Sequence, residues 1–168
     1  MKSLLRLVAI LTVALTTSVA NAQTKVAIGY PPAADWLPAM VAKEKGYFDS
    51  RGLDVELNKI AIVSNIPAAL MSGSLNIGAT TPTALIDTSA AGLDLVAIVG
   101  ATRFVKDPAI FSLVARDGSG IKTGKDLEGK RIGVPGIRSV ADVLLRKWMM
   151  NEGVDVSKVS IVEAPFPQ

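Results

Sequence analysis

Two hydrophobic periods alternate along this chain. Residues 25–30 (KVAIGY) form a short, mostly apolar run stopped by Pro31 and Pro32, and read as a first strand. Residues 36–45 follow with apolar positions at Leu37, Met40 and Val41, a helical spacing, and Gly46 ends them. Asp35 is a plausible cap for that helix, and Pro38 is tolerated in its first turn. Residues 53–57 (LDVEL) alternate strictly and predict a second strand with one face exposed. Ser64-Asn65-Ile66-Pro67 opens a second helix over 67–72, closed by Gly73.

The stretch 71–99 is the most informative. Residues 75–79 (LNIGA) predict a short strand that runs into Thr80-Thr81-Pro82-Thr83. Thr81 suits the N-cap of a third helix, and Pro82 suits its first position, where a missing N–H costs nothing. That helix stops at Gly92. The strand therefore delivers hydroxyls to a helix N-terminus, where free N–H groups and a partial positive charge favour an anion or polar acceptor. Residues 95–99 (LVAIV) are nearly all apolar, as a central parallel strand buried on both faces should be. Residues 109–115 (AIFSLVA) predict another strand. Strands alternating with helices imply an α/β fold with a parallel, doubly wound sheet.

After Arg116 the character changes. Residues 117–129 carry glycines at 118, 120, 124 and 129 and many charges. A second unit then begins: a strand at 131–134, a turn at 135–139, a helix from 140 to about 152 and a strand at 159–162. Ser139 and Asp142 fit a capping-box-like start, and Ala141, Leu144, Leu145 and Trp148 form the expected buried face. Two strands and one main helix make a poor core alone, so this unit is expected to be an incomplete lobe.

The N-terminus has a different character. Lys2 and Arg6 flank an apolar run at 7–15, and Ala20-Asn21-Ala22 is an A-x-A site. This is a secretory signal peptide over residues 1–22, with the mature chain starting near Gln23; the rival reading, a membrane anchor, meets Thr16, Thr17, Ser18 and Asn21 in its path. Removing 22 residues from 168 leaves 146, and 16 basic residues then face 15 acidic ones. The basic balance of the whole chain thus belongs partly to the leader, and there is no basic stripe for nucleic acid. With no cysteine, disulfides, thiol chemistry and a lipidated N-terminus are excluded. With no histidine, most zinc sites and every histidine-based triad are excluded too.

Other motifs fail on spacing. Residues 118–125 (GSGIKTGK) invite a phosphate-loop reading, but Ser119 stands where the first glycine belongs and Asp126 follows Lys125. Gly133-Val134-Pro135-Gly136 lacks the dinucleotide spacing, and the carboxylate pairs Asp54/Glu56 and Asp126/Glu128 read as solvated charges. No catalytic or metal constellation and no cofactor site is expected.

Four segments in order, KVAIGY (25–30), AKEKGYF (42–48), GLDVEL (52–57) and ALMSGSLNIG (69–78), resemble the nitrate/sulfonate/taurine-type substrate-binding proteins of ABC transporters. DLEGKRIGVPG (126–136) followed by LLRK (144–147) extends the resemblance. It implies a two-lobe periplasmic-binding-protein fold with the ligand held between lobes, here with lobe one over 23–116 and part of lobe two over 117–168. It also implies that complete members are much longer.

The carboxyl ends of the strands should line such a cleft. Trp36 is a candidate to enclose a ligand, or else a partly buried surface aromatic. Ser64 and Asn65 are candidate contacts or plain caps, and Thr80 and Thr81 stand at the third helix. On the other side, Gly136 permits close backbone approach and Ser139 caps. Arg138 opposes the dipole of the helix it precedes, a conflict that an anionic ligand relieves; the bland reading is a solvated arginine. Arg103 is a further candidate. The expected function is an extracytoplasmic, monomeric solute-binding protein, not an enzyme, that captures a small anionic solute for a membrane permease. A sensing domain is one rival. A relative of thiamine-pyrimidine synthases is another, disfavoured because the resemblance implies that those enzymes consume a histidine of their own.

Overall fold

The computed structural model describes residues 22–103, 105 and 112–166. The expected signal peptide falls almost wholly outside these residues. Among the described residues, no helix is long and apolar enough to cross a membrane.

Strand β1 (Thr24–Tyr30) is the centre of a parallel three-stranded sheet. On one side it pairs with β2 (Leu53–Lys59), from Thr24 opposite Leu53 to Tyr30 opposite Lys59. On the other it pairs with β3 (Ile77–Gly78). A 3-10 turn (Ala34–Trp36) and helix α1 (Leu37–Glu44) connect β1 to β2. A second 3-10 turn (Val63–Asn65) and helix α2 (Ile66–Met71) connect β2 to β3. Helix α3 (Pro82–Ala90) leaves β3 as expected, and the Oγ1 of Thr81 accepts from the Ala84 amide at 3.4 Å. A second parallel sheet pairs β4 (Arg131–Val134) with β5 (Ser160–Glu163), linked by helix α4 (Val140–Asn151).

Each sheet has its own core. Tyr30, Ile66, Leu75 and Ala79 fill the first, and Ile66 is fully buried. A Cβ on Gly78 would stand 2.5 Å from Ile66 Cγ2, so α2 lies against the sheet only because that position is glycine. Leu127, Ile132, Val134, Leu145, Met149, Val154 and Val159 fill the second core.

Five expectations need correction. The strand expected at 75–79 is regular only at Ile77–Gly78, yet its ladder continues by other means. Asn76 donates its amide to Ala27 O at 2.9 Å and accepts the Ala27 amide on its own Oδ1 at 2.8 Å. Ala79 N then donates to Gly29 O at 2.8 Å. Residues 95–99 form no strand and are not buried: Val96 is 77% exposed and Val99 78%. An apolar run becomes a strand only beside a partner, and among the described residues this one has none. Of the strand expected at 109–115, residues 109–111 lie outside the described residues and 112–115 are irregular and exposed.

The last two corrections concern helices. Asp35 makes no cap, because it sits inside the 3-10 turn and Trp36 precedes α1, neither helix start receiving a side-chain bond. The buried face of α4 is Asp142, Leu145 and Met149, whereas Leu144 and Trp148 are 47% and 38% exposed. The face turns about 100° per residue, and the helix is rotated so that a buried aspartate takes a position that counting apolar residues leaves out.

Candidate functional site

The carboxyl ends of β2, β4 and β5 converge. Val63 N donates to Pro135 O at 3.1 Å and Phe166 N donates to Ala61 O at 3.1 Å, so the segment after β2 is joined to both strands of the second sheet. A Cβ on Gly136 would meet Val63 Cγ2 at 2.6 Å and the Ser64 backbone nitrogen at 3.1 Å. Gly136 does permit close approach, as expected, but the group that approaches is the Val63–Ser64 backbone of this same chain.

Glu163 completes the junction. Its Oε1 accepts from Ser64 Oγ at 2.5 Å and from Ile137 N at 2.9 Å. Those two donors, the Ser64 hydroxyl first, hold the Glu163 carboxyl below the usual glutamate range, against a small opposing effect of burial.

Beside this junction, a groove of about 350 Å³ runs between α3 and α4. Thr83, Asp87, Arg138, Asp142, Val143 and Arg146 line it, with Ile86. Ser139 caps α4 by accepting from Asp142 N at 3.5 Å. Asp142, nearly fully buried, accepts the Arg138 amide on Oδ2 at 2.8 Å and the Arg146 Nε on Oδ1 at 2.7 Å. One aspartate thus fixes the turn before the helix and aims the guanidinium one turn later. Arg138 itself takes a left-handed backbone conformation, φ 64°, rare for a residue with a side chain. Its side chain is 77% exposed, and the guanidinium lies 3.9 Å from the Asp87 carboxylate. The dipole conflict expected at Arg138 is therefore met in part by Asp87 and Asp142 of the chain itself.

The remaining expected residues lie around these two features. Thr81 caps α3 and exchanges a hydrogen bond with Thr83 in the groove at 2.9 Å. Thr80 is exposed next to it. Asn65 is exposed and makes no capping bond to α2. Trp36 is half-buried and packs against the first core. Arg103 is exposed in an irregular segment. Ser64 and Gly136 thus meet at the junction, Ser139 caps the helix that Arg138 precedes, and of the expected residues Arg138 lines the groove, with Thr81 bonded to its Thr83.

Sequence reading missed Asp87, Arg146 and Glu163. The i, i+4 spacing of Asp142 and Arg146 was a usable signal. So was the place of Glu163 at the end of a strand. Nothing in the sequence marked Asp87. Among the described residues, no group of acidic side chains could hold a metal ion.

Chemically, the groove offers two guanidiniums, a threonine hydroxyl and an apolar wall at Ile86 and Val143, with two carboxylates that orient the cations. Its volume is at the lower end of the range of small-molecule sites.

The 4-amino-5-hydroxymethyl-2-methylpyrimidine phosphate synthase of Schizosaccharomyces pombe is 30% identical over 100 residues, 60% of this chain and 28% of that protein. The nitrate import ATP-binding protein NrtC of a Synechocystis species is 24% identical over 170 residues, 84% of this chain and 23% of that protein. The structure is similar to that of the alkanesulfonate-binding protein SsuA from Xanthomonas axonopodis pv. citri bound to MOPS. The TM-score is 0.61 at 21% identity, over 84% of this chain and 48% of that one. The fold is that of a periplasmic binding protein, and the chain spans about a quarter of the two curated relatives and half of the solved one. A family profile described as NMT1/THI5 like matches residues 33–168, and the chain belongs to that family.

Proposed function

We propose that this chain captures a small anionic solute, a sulfonate, nitrate, taurine or similar molecule, for an ABC importer, as an exported, periplasmic binding protein and not an enzyme. The observation that carries the reading is the groove between α3 and α4. Two arginines line it, and Asp142 orients one of them at 2.7 Å while holding the backbone of the other. Guanidiniums held in this way grip sulfonate, carboxylate or nitrate oxygens through paired N–H donors. The sulfonate-binding and nitrate-import proteins that the chain is similar to support the same solute class and an importer as partner.

In this reading residues 23–116 belong to one lobe and 117–168 to part of the other, with residues 1–22 removed on export. Arg138 and Ser139 meet the solute together with Thr80 and Thr81, while Trp36, Ser64, Asn65 and Gly136 frame the site. Calorimetric titration of the chain with methanesulfonate, nitrate and taurine tests it. At least one of the three binds, and Arg138→Ala weakens that binding about tenfold, the loss of one charge-assisted contact of about 1.5 kcal/mol. Equal affinity in the variant would remove Arg138 from the site, and no heat with any anion would overturn the solute class.

A second reading is favoured by the pyrimidine phosphate synthase, 30% identical over 60% of this chain. The absence of histidine from the whole sequence stands against it. A sensing partner in place of a permease is the remaining rival, and a neighbouring permease and ATPase gene pair decides between them.

A further inference from the structure

We propose that Glu163 is a carboxylate clasp, which in its ionised form holds the turn before α2 to the turn before α4 and so sets how the two sheets meet. One oxygen takes both bonds: Oε1 accepts from Ser64 Oγ at 2.5 Å and from Ile137 N at 2.9 Å. The donors lie 99 and 26 residues away in sequence, on segments that belong to different sheets. The inference stands on this geometry and does not require the solute reading.

The surroundings make the clasp sensitive to its own charge. Residues 60–71 carry no ionisable side chain, so nothing on the Ser64 side competes for the carboxylate. The charged groups on the other neighbouring elements are few. Lys59 ends β2 and is exposed. Asp87 on α3 pairs with Arg138, and Asp142 pairs with Arg146 on α4. Among the described residues, no cation lies within ion-pair distance of Glu163. Its ionised form is therefore favoured by the two hydrogen bonds themselves, which is why its carboxyl lies below the usual range.

The sign follows. A carboxyl with a lowered folded-state pKa contributes stability above its unfolded value, and that contribution is lost as pH falls through the folded one. Acidification thus opens the clasp. It weakens both bonds at the junction, while the Val63–Pro135 and Phe166–Ala61 backbone bonds, the packing of Gly136 on Val63 and the exposed Arg138–Asp87 pair remain.

Amide NMR of the chain from pH 7 to pH 3 tests this. The Ile137 amide proton moves in a single transition with its midpoint below that of an ordinary glutamate. In Glu163→Gln that transition disappears. In Ser64→Ala it survives, but its midpoint rises, since one of the two donors to the ionised form is gone. Unchanged Val154 and Met149 amides show that each variant is folded. An Ile137 amide that ignores pH, a transition that persists in Glu163→Gln, or a midpoint that Ser64→Ala leaves in place would each overturn the clasp.

Discussion

At the scale of single residues, the contacts that matter are those a sequence cannot display. Gly136 was legible as a position needing close approach, but not as to what approaches. A new Cβ would press on the Ser64 backbone nitrogen at 3.1 Å and on Val63 Cγ2 at 2.6 Å, and backbone gives way less easily than a side-chain tip. Gly136→Ala is therefore expected to destabilise the chain by about 1–3 kcal/mol, through the junction, with or without any solute present. Urea denaturation checks it; a variant as stable as the parent would mean that the two turns separate freely. Arg138 shows the reverse case. Its position before a helix made it conspicuous in the sequence, and the structure adds a left-handed backbone at φ 64° and a carboxylate partner. Such conformations persist where the surroundings over-determine them, here through the Arg138 amide held by buried Asp142.

At the scale of elements, the starts of α3 and α4 were legible, the caps expected at Asp35 and Ser64-Asn65 were not found, and strand partners were the least legible. Thr81 and Ser139 cap α3 and α4 as their sequences imply, because a cap is a local event decided within four residues. Ser139→Ala is expected to cost about 1 kcal/mol, somewhat more if Asp142 loses its grip on the Arg138 amide. Chemical denaturation of the variant measures it, and a change near zero would mean that Asp142 alone holds the helix start. Strands depend on distant chain. Residues 95–99 have the composition of a central strand but find no neighbour among the described residues, so composition alone misled. Residues 75–79 went the other way, since Asn76 supplies from its side chain a hydrogen bond that regular pairing does not. The rotation of α4 was hidden for a third reason. Its inward face includes Asp142, and a charge reads as solvated until a partner such as Arg146 is seen beside it.

At the scale of the whole molecule, two separate cores meet through a narrow junction. Ile66 is the fully buried centre of one and Met149 of the other, and the two clusters share no residue. Among the described residues they are joined by the Val63–Pro135 and Phe166–Ala61 backbone hydrogen bonds, the Glu163 clasp, the packing of Gly136 on Val63, the contact of α3 with α4 and the exposed Arg138–Asp87 pair, among other contacts. An exposed ion pair of that length contributes little, and a few hydrogen bonds of about 1 kcal/mol each couple two units weakly. The sheets are therefore expected to unfold in two partly resolved steps. Truncating either buried centre to alanine costs about 2–5 kcal/mol, and it should lower the step of its own sheet while largely sparing the other. Scanning calorimetry of Ile66→Ala and Met149→Ala distinguishes the cases. A single sharp transition lowered equally by both substitutions would show that the junction transmits far more than its contacts suggest. The same weak coupling is what a protein needs if its two halves are to move relative to each other around a solute, because a hinge works only where few bonds must break.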